Sequence, residues 1–137
     1  MALLRVAPLF ALLLVPAARG GDICAALTEA EVSAAAGTQL KRSPADPCRF
    51  GAGFASVYIT MHKGGGAGFA AYAAQAKRDF PDAQPVAGVG SNAIFFSFAL
   101  AVEYKDDLFV VQTMLGKSIP QKIAIAKAVA GKVMAHL

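Results

Sequence analysis

The chain has 137 residues, 56% hydrophobic and 16% charged, with a formal charge of +4. That length fits one domain with a single core and leaves no room for a second. The cations are dispersed rather than clustered and interleaved with aromatics, which argues against a nucleic-acid-binding surface, and after Leu14 no apolar run is long enough to span a bilayer.

Arg5 supplies a short positive region, residues 6–14 are apolar apart from Pro8, and Ala18-Arg19-Gly20 is a small-x-small cleavage site. Together these predict a Sec signal peptide over 1–20, with a single domain over 21–137 beginning at Gly21. Removing Arg5 and Arg19 with the signal leaves eleven basic and nine acidic residues, a balance of +2. An exported chain, periplasmic or secreted, meets an oxidising compartment, so Cys24 and Cys48 are expected to form one disulfide. Closing that loop restricts the unfolded chain by about 3 kcal/mol on chain-entropy arithmetic. Cys24 follows Gly21-Asp22-Ile23 rather than the apolar core directly, so lipid anchoring through it is not expected.

Thr28-Glu29-Ala30-Glu31 is a capping box, and Leu27 and Val32 stand at the spacing of a hydrophobic staple. A helix over 29–36 follows, stopped by Gly37. Residues 41–47 are polar and hold two prolines, predicting a loop that leads to Cys48. Val57, Ile59 and Met61 then alternate with Ser56, Tyr58, Thr60 and His62, a strand with one apolar and one polar face. The glycine-rich segment 64–68 introduces a helix on which Phe69, Tyr72, Ala73, Ala76 and Phe80 share a face; Pro81 ends it. Strands are predicted over 93–97, 100–104 and 108–114, the last two joined by a tight turn at Lys105-Asp106-Asp107. A second capping box, Ser118 to Gln121, opens a closing helix whose Ile119, Ile123, Ala126, Ala130, Val133 and Leu137 form the expected buried stripe. Its lysines, Lys117, Lys122, Lys127 and Lys132, spread around the flanks and back and serve to solvate it. Runs of strands joined by hairpins predict an α+β domain with an antiparallel sheet of five to six strands packed against helices. If the helices all lie on one face, the face with Tyr58, Thr60 and His62 is left open.

Four segments carry a resemblance: 24–32 from Cys24 through Leu27-Thr28 to Val32, then Pro47-Cys48-Arg49-Phe50, Gly88-Val89-Gly90, and the closing strand Leu108-Phe109-Val110-Val111. In these the chain resembles a broad group of small exported bacterial proteins, many of them actinobacterial envelope lipoproteins and some compared with the PsbP-like α/β sandwich. The resemblance implies a fold and a location and carries over no catalytic residue. This chain departs from the group in lacking a lipobox.

Candidate chemistry is sparse. Gly88-Val89-Gly90-Ser91-Asn92-Ala93 matches the letters of a dinucleotide fingerprint, but an aromatic strand follows where a helix is needed, so a turn into a strand is expected. Lys63 and the glycines after it do precede a helix, where free N–H groups could cradle an anion, without the order of a P-loop. Met61 with His62 and Met134 with His136 suggest soft metal ligands, yet each pair diverges in direction, and no metal or other cofactor is expected. Ser56 and Ser91 lack a nucleophile elbow, so no catalytic residue is assigned. The expected function is a non-catalytic binding module for a small molecule or an envelope protein, acting as a monomer. Its candidate ligand-binding residues are Tyr58, Thr60, His62, Lys63, Gly65, Phe69 and Tyr72. The alternative is a small exported hydrolase or other enzyme using His62.

Overall fold

Three tight turns, Gly53-Phe54, Ser97-Phe98 and Lys105-Asp106, divide much of the chain into hairpins. In each the first residue has positive φ, 62°, 56° and 54° respectively, the backbone sense that matches the right-handed twist of paired strands. A computed structural model describes residues 22–116 and 118–137. The predicted signal peptide, 1–20, lies outside the described residues.

The elements run α1 (Asp22–Ala26), α2 (Glu29–Ala36), β1 (Lys41–Arg42), β2 (Arg49–Ala52), β3 (Ala55–His62), a 3-10 turn (Gly65–Gly68), α3 (Phe69–Asp79), β4 (Gln84–Pro85), β5 (Asn92–Phe96), β6 (Ala99–Tyr104), β7 (Asp107–Thr113) and α4 (Ile119–Ala135). They form an α+β domain around one antiparallel sheet of order β1-β2-β3-β7-β6-β5-β4. Seven strands stand where five to six were expected. β1 and β4 are two residues each, too short for alternation to reveal, and β1 lies in the segment 41–47 read as loop. Both capping boxes form: Glu31 N–H donates to Thr28 Oγ1 and Thr28 N–H to Glu31 Oε1, each at 3.0 Å, and Ser118 and Gln121 do the same at 3.1 and 3.3 Å.

The sheet has a core on each face, because its strands alternate. Val57, Ile59, Phe95, Leu100, Val102, Phe109 and Val111 face α2 and α4, which contribute Val32, Ala36, Ala126, Val129, Ala130 and Val133. Ile94, Ala99, Ala101, Leu108 and Val110 face the other way and pack with Phe69 and Ala76 of α3. The helices therefore occupy both faces, with α3 covering only the β5–β7 half of the second. The stripe of α4 is as expected over its middle and end, with Ala126, Ala130 and Val133 buried and Ile123 and Leu137 packed against the core; Val129 joins it, while Ile119, in the first turn, is 41% exposed. That first turn projects beyond the core.

Cys24 and Cys48 form a disulfide, with Cα atoms 5.0 Å apart. Beside it, the guanidinium of Arg42 donates to the carbonyls of Cys24, Leu27 and Pro47 and lies 4.8 Å from the ring centroid of Phe50. It satisfies carbonyls at the end of α1 that have no helical partner. The Arg42 backbone N–H donates to Glu29 Oε2 at 2.6 Å. At the far end of α4, His136 lies 3.1 Å from both carboxylate oxygens of Glu31. The Glu31 carboxyl is held below its ordinary range, first by the Thr28 N–H and then by His136.

Replacing Arg42 by alanine leaves three carbonyls without their donor and should lower unfolding free energy by about 2–3 kcal/mol in chemical denaturation. Arg42→Lys should restore less than half of that, since one ammonium lacks the planar fork.

Candidate functional site

Tyr58, Thr60 and His62 share one face of β3, on the half of the sheet that α3 leaves uncovered. Arg49, the cross-strand partner of Tyr58, stacks its guanidinium 4.4 Å from the Tyr58 ring centroid. On the other side, Tyr58, Thr60 and His62 pair with Gln112, Val110 and Leu108 of β7. Tyr58 and Thr60 are half-buried and His62 is exposed. The imidazole makes no hydrogen bond or ion pair among the described residues. Ser56 lies six residues from His62 on the same strand, about 20 Å away at strand rise. Ser91 precedes β5, three strands distant, with its N–H donating to the Glu103 carbonyl. Neither serine can use His62 as a base.

The glycine segment after Lys63 packs against the β6–β7 turn and is not an open loop. Gly64 N–H donates to Asp107 Oδ1 at 2.8 Å, Lys63 Nζ lies 3.9 Å from Asp107 Oδ2, and Gly66 N–H donates to the Asp106 carbonyl at 3.0 Å. The anion that such a turn could cradle is here the Asp107 carboxylate. A Cβ on Gly66 would stand 2.9 Å from the Asp106 carbonyl carbon, and one on Gly65 3.1 Å from His62 Cβ. Close approach to backbone therefore dictates glycine at 66, while at 65 a side chain would need a small shift of its neighbours. Phe69 is buried in the second core with Leu108. Tyr72 is separated from the β3 residues: its ring stacks 5.9 Å from Phe96 on β5, and burial raises its phenol pKa. Of the seven candidates, five thus run together along β3 and its turn, Phe69 joins them through Leu108, and Tyr72 lies elsewhere.

Gly88 and Gly90 lead into β5 rather than a helix. Gly90 has φ 59°, and a Cβ there would come within 2.5 Å of the Glu103 carbonyl oxygen. Its role is a close strand crossing. Among the described residues no group of three His, Cys, Asp or Glu could hold a metal.

The most distinctive surface lies at the opposite end of the sheet. Phe54, at the tip of the β2–β3 turn, is 103% exposed; Met114, just past β7, is 52% exposed, and Phe98, at the β5–β6 turn, 42%. The register gathers them: Met114 N–H donates to the Ser56 carbonyl and Thr113 N–H to the Phe98 carbonyl. Phe54 and Met114 line a groove of about 680 Å³ with Leu115, Ala124 and Ile125. The first turn of α4 adds Ile119, and Lys122 Nζ lies 5.6 Å from the Phe98 centroid. Ala55 also borders a second groove, of about 480 Å³, that includes Lys41, Arg42 and Arg49. No sequence expectation singled out this end. The available signal was a phenylalanine at each of two hairpin turns, positions where polar residues and glycine are usual.

Gly66→Ala should lower stability by about 2 kcal/mol or more, because the clash is with backbone, as read by thermal unfolding. Gly68→Ala, whose added Cβ meets nothing within 4 Å, should leave stability unchanged or slightly raised.

Comparison of the chain with family models, curated proteins and solved structures found no match.

Proposed function

We propose that this chain is an exported, non-catalytic binding module, periplasmic or secreted, that takes an apolar or amphipathic partner at the sheet end formed by Phe54, Phe98, Met114 and Ile125. The carrying observation is the concentration of large exposed apolar side chains there. Phe54 contributes nothing to the core, being fully exposed, and a side chain of that size gains about 2 kcal/mol when removed from water. Clustered apolar exposure of this kind marks interaction sites on folded proteins. The disulfide suits an oxidising compartment, and the predicted signal peptide and the resemblance to small exported bacterial proteins favour the same location. The isolation of His62 from Ser56 and Ser91 favours binding over hydrolysis. No helix among the described residues is long and apolar enough to cross a membrane.

Two measurements test the two halves of this reading. Expressed from its complete coding sequence in a bacterial host, the protein should be recovered from the periplasmic fraction with Gly21 as its first residue by intact mass. Recovery only in the cytoplasm with the N-terminus uncut would refute export. The folded protein should also enhance the fluorescence of 1-anilinonaphthalene-8-sulfonate, and Phe54→Ser with Met114→Ser should abolish most of that enhancement at unchanged melting temperature. Equal enhancement by the variant would remove this end as the binding site.

A further inference from the structure

Resting on the reading of this end as the binding site, we infer that its partner is the surface of a bilayer containing anionic lipid, on which the β2–β3 turn docks with Phe54 inserted at the headgroup boundary. The structure offers apolar and cationic surface side by side. The apolar groove under Phe54 and Met114 meets the groove holding Lys41, Arg42 and Arg49 at Ala55, which lines both. Lys41 pairs with Gly51, two residues from the Gly53-Phe54 turn. Neither Lys41 nor Arg49 has an acidic partner among the described residues, so their charge is available to a phosphate.

Further cations stand at the same end of the sheet. Lys77 and Arg78 occupy the last turn of α3, which ends where Phe80 stacks 5.0 Å from Phe96, beside the Ser97-Phe98 turn. Asp79, which accepts from Gln75 at 3.2 Å, and Asp82, which accepts from the Ser97 N–H at 3.0 Å, stand near them and offset part of this charge. Glu103, Asp106 and Asp107 stand at the opposite end, around the β6–β7 turn, and Glu31 meets the C-terminal end of α4. Lys63 and Lys105 stand among those acids, so that end presents no net cationic face, whereas Lys41 and Arg49, without an acidic partner among the described residues, turn the Phe54 end toward an anionic surface. The form of the apolar surface also favours a bilayer over one soluble ligand. Phe54 stands out on a turn, and the groove beside it is open to solvent, so a single acyl chain there would keep much of its length in water. At a bilayer the surrounding lipid supplies the remaining cover, as it does for other apolar surfaces flanked by Lys and Arg.

The test is co-sedimentation of the protein, expressed from its full coding sequence, with vesicles of phosphatidylcholine alone and with roughly a quarter phosphatidylglycerol. The expected result is binding to the anionic vesicles that weakens about tenfold in Phe54→Ser/Met114→Ser, and similarly in Lys41→Glu/Arg49→Glu or in high salt. All four positions are exposed, so the variants should keep the parental melting temperature, and they share its N-terminus, so only this end differs. Binding that is equal in parent and variants overturns the proposal, as does no binding to either vesicle. The dye measurement separates the causes. Phe54-dependent dye enhancement without vesicle binding leaves the binding site standing and removes the bilayer; loss of both removes the site as well. Binding of soluble short-chain phosphatidylglycerol monomers without vesicle binding assigns the surface to a free amphiphile, and also overturns the bilayer.

Discussion

The pairing of β3 with β7 is the constraint on which the rest of the molecule depends. Six cross-strand pairs, from Val57 with Thr113 to His62 with Leu108, join the first three strands to the meander β4–β7. Without it the sheet is two separate ladders, each too small to hold a core. Its register is set by burial, since Val57 and Ile59 must lie on the same face as Phe109 and Val111. A slip of one residue would carry Tyr58 and Thr60 into the α2/α4 core and put Val57 and Ile59 in water. The partners are more than forty residues apart in sequence, so the pairing also carries the largest loop-closure cost in the sheet.

Both ends of the molecule follow from that register. At one end, His62 opposite Leu108 brings the glycine segment onto the β6–β7 turn, where Asp107 and the Asp106 carbonyl take up its N–H groups. At the other, Ala55 and Ser56 fall beside Met114, and the Phe54 turn comes to stand next to the start of α4. One end is polar, with Lys63 and the glycine N–H groups satisfied by Asp107 and the Asp106 carbonyl. The other carries the exposed apolar side chains. The buried hydroxyl of Thr113, which has no hydrogen-bond partner among the described residues, lies at the boundary of the open end and is its one unfavourable polar burial.

Much of this was legible in the sequence because it rests on local chemistry. Thr28 with Glu31 and Ser118 with Gln121 are spaced to satisfy each other's N–H groups whatever surrounds them. The alternation around Val57 to His62 needs only the pleat. What was not legible depended on distant partners. Arg42 looks like one more surface cation in a polar segment, and its role appears only when α1, Pro47 and Phe50 converge on it. Gly66 and Gly90 look like flexible or phosphate-binding glycines, and prove to be places where the backbone of the β6–β7 turn and of β6, respectively, passes too close for a Cβ. The candidate residues Tyr58, Thr60, His62, Lys63 and Gly65 do lie together, as neighbours on one strand and its turn must. Tyr72 does not join them, because α3 crosses toward β5.

The sequence by itself determined the capped starts of α2 and α4, the Lys105-Asp106 turn and the alternation of β3, since caps, turns and pleats act over a few residues. It also supplied one pair of cysteines and therefore one possible intrachain disulfide. Only the tertiary structure decided the strand order, the two-residue strands β1 and β4, the placement of α3 on the opposite face from α2 and α4, and the exposure of Ile119 at the start of α4. It alone assembled Phe54, Phe98, Met114 and Ile125 into one surface. Phenylalanine at two hairpin turns is the one local sign of it, and only the long-range β3–β7 pairing, reinforced by β6 on β7, brings the four together.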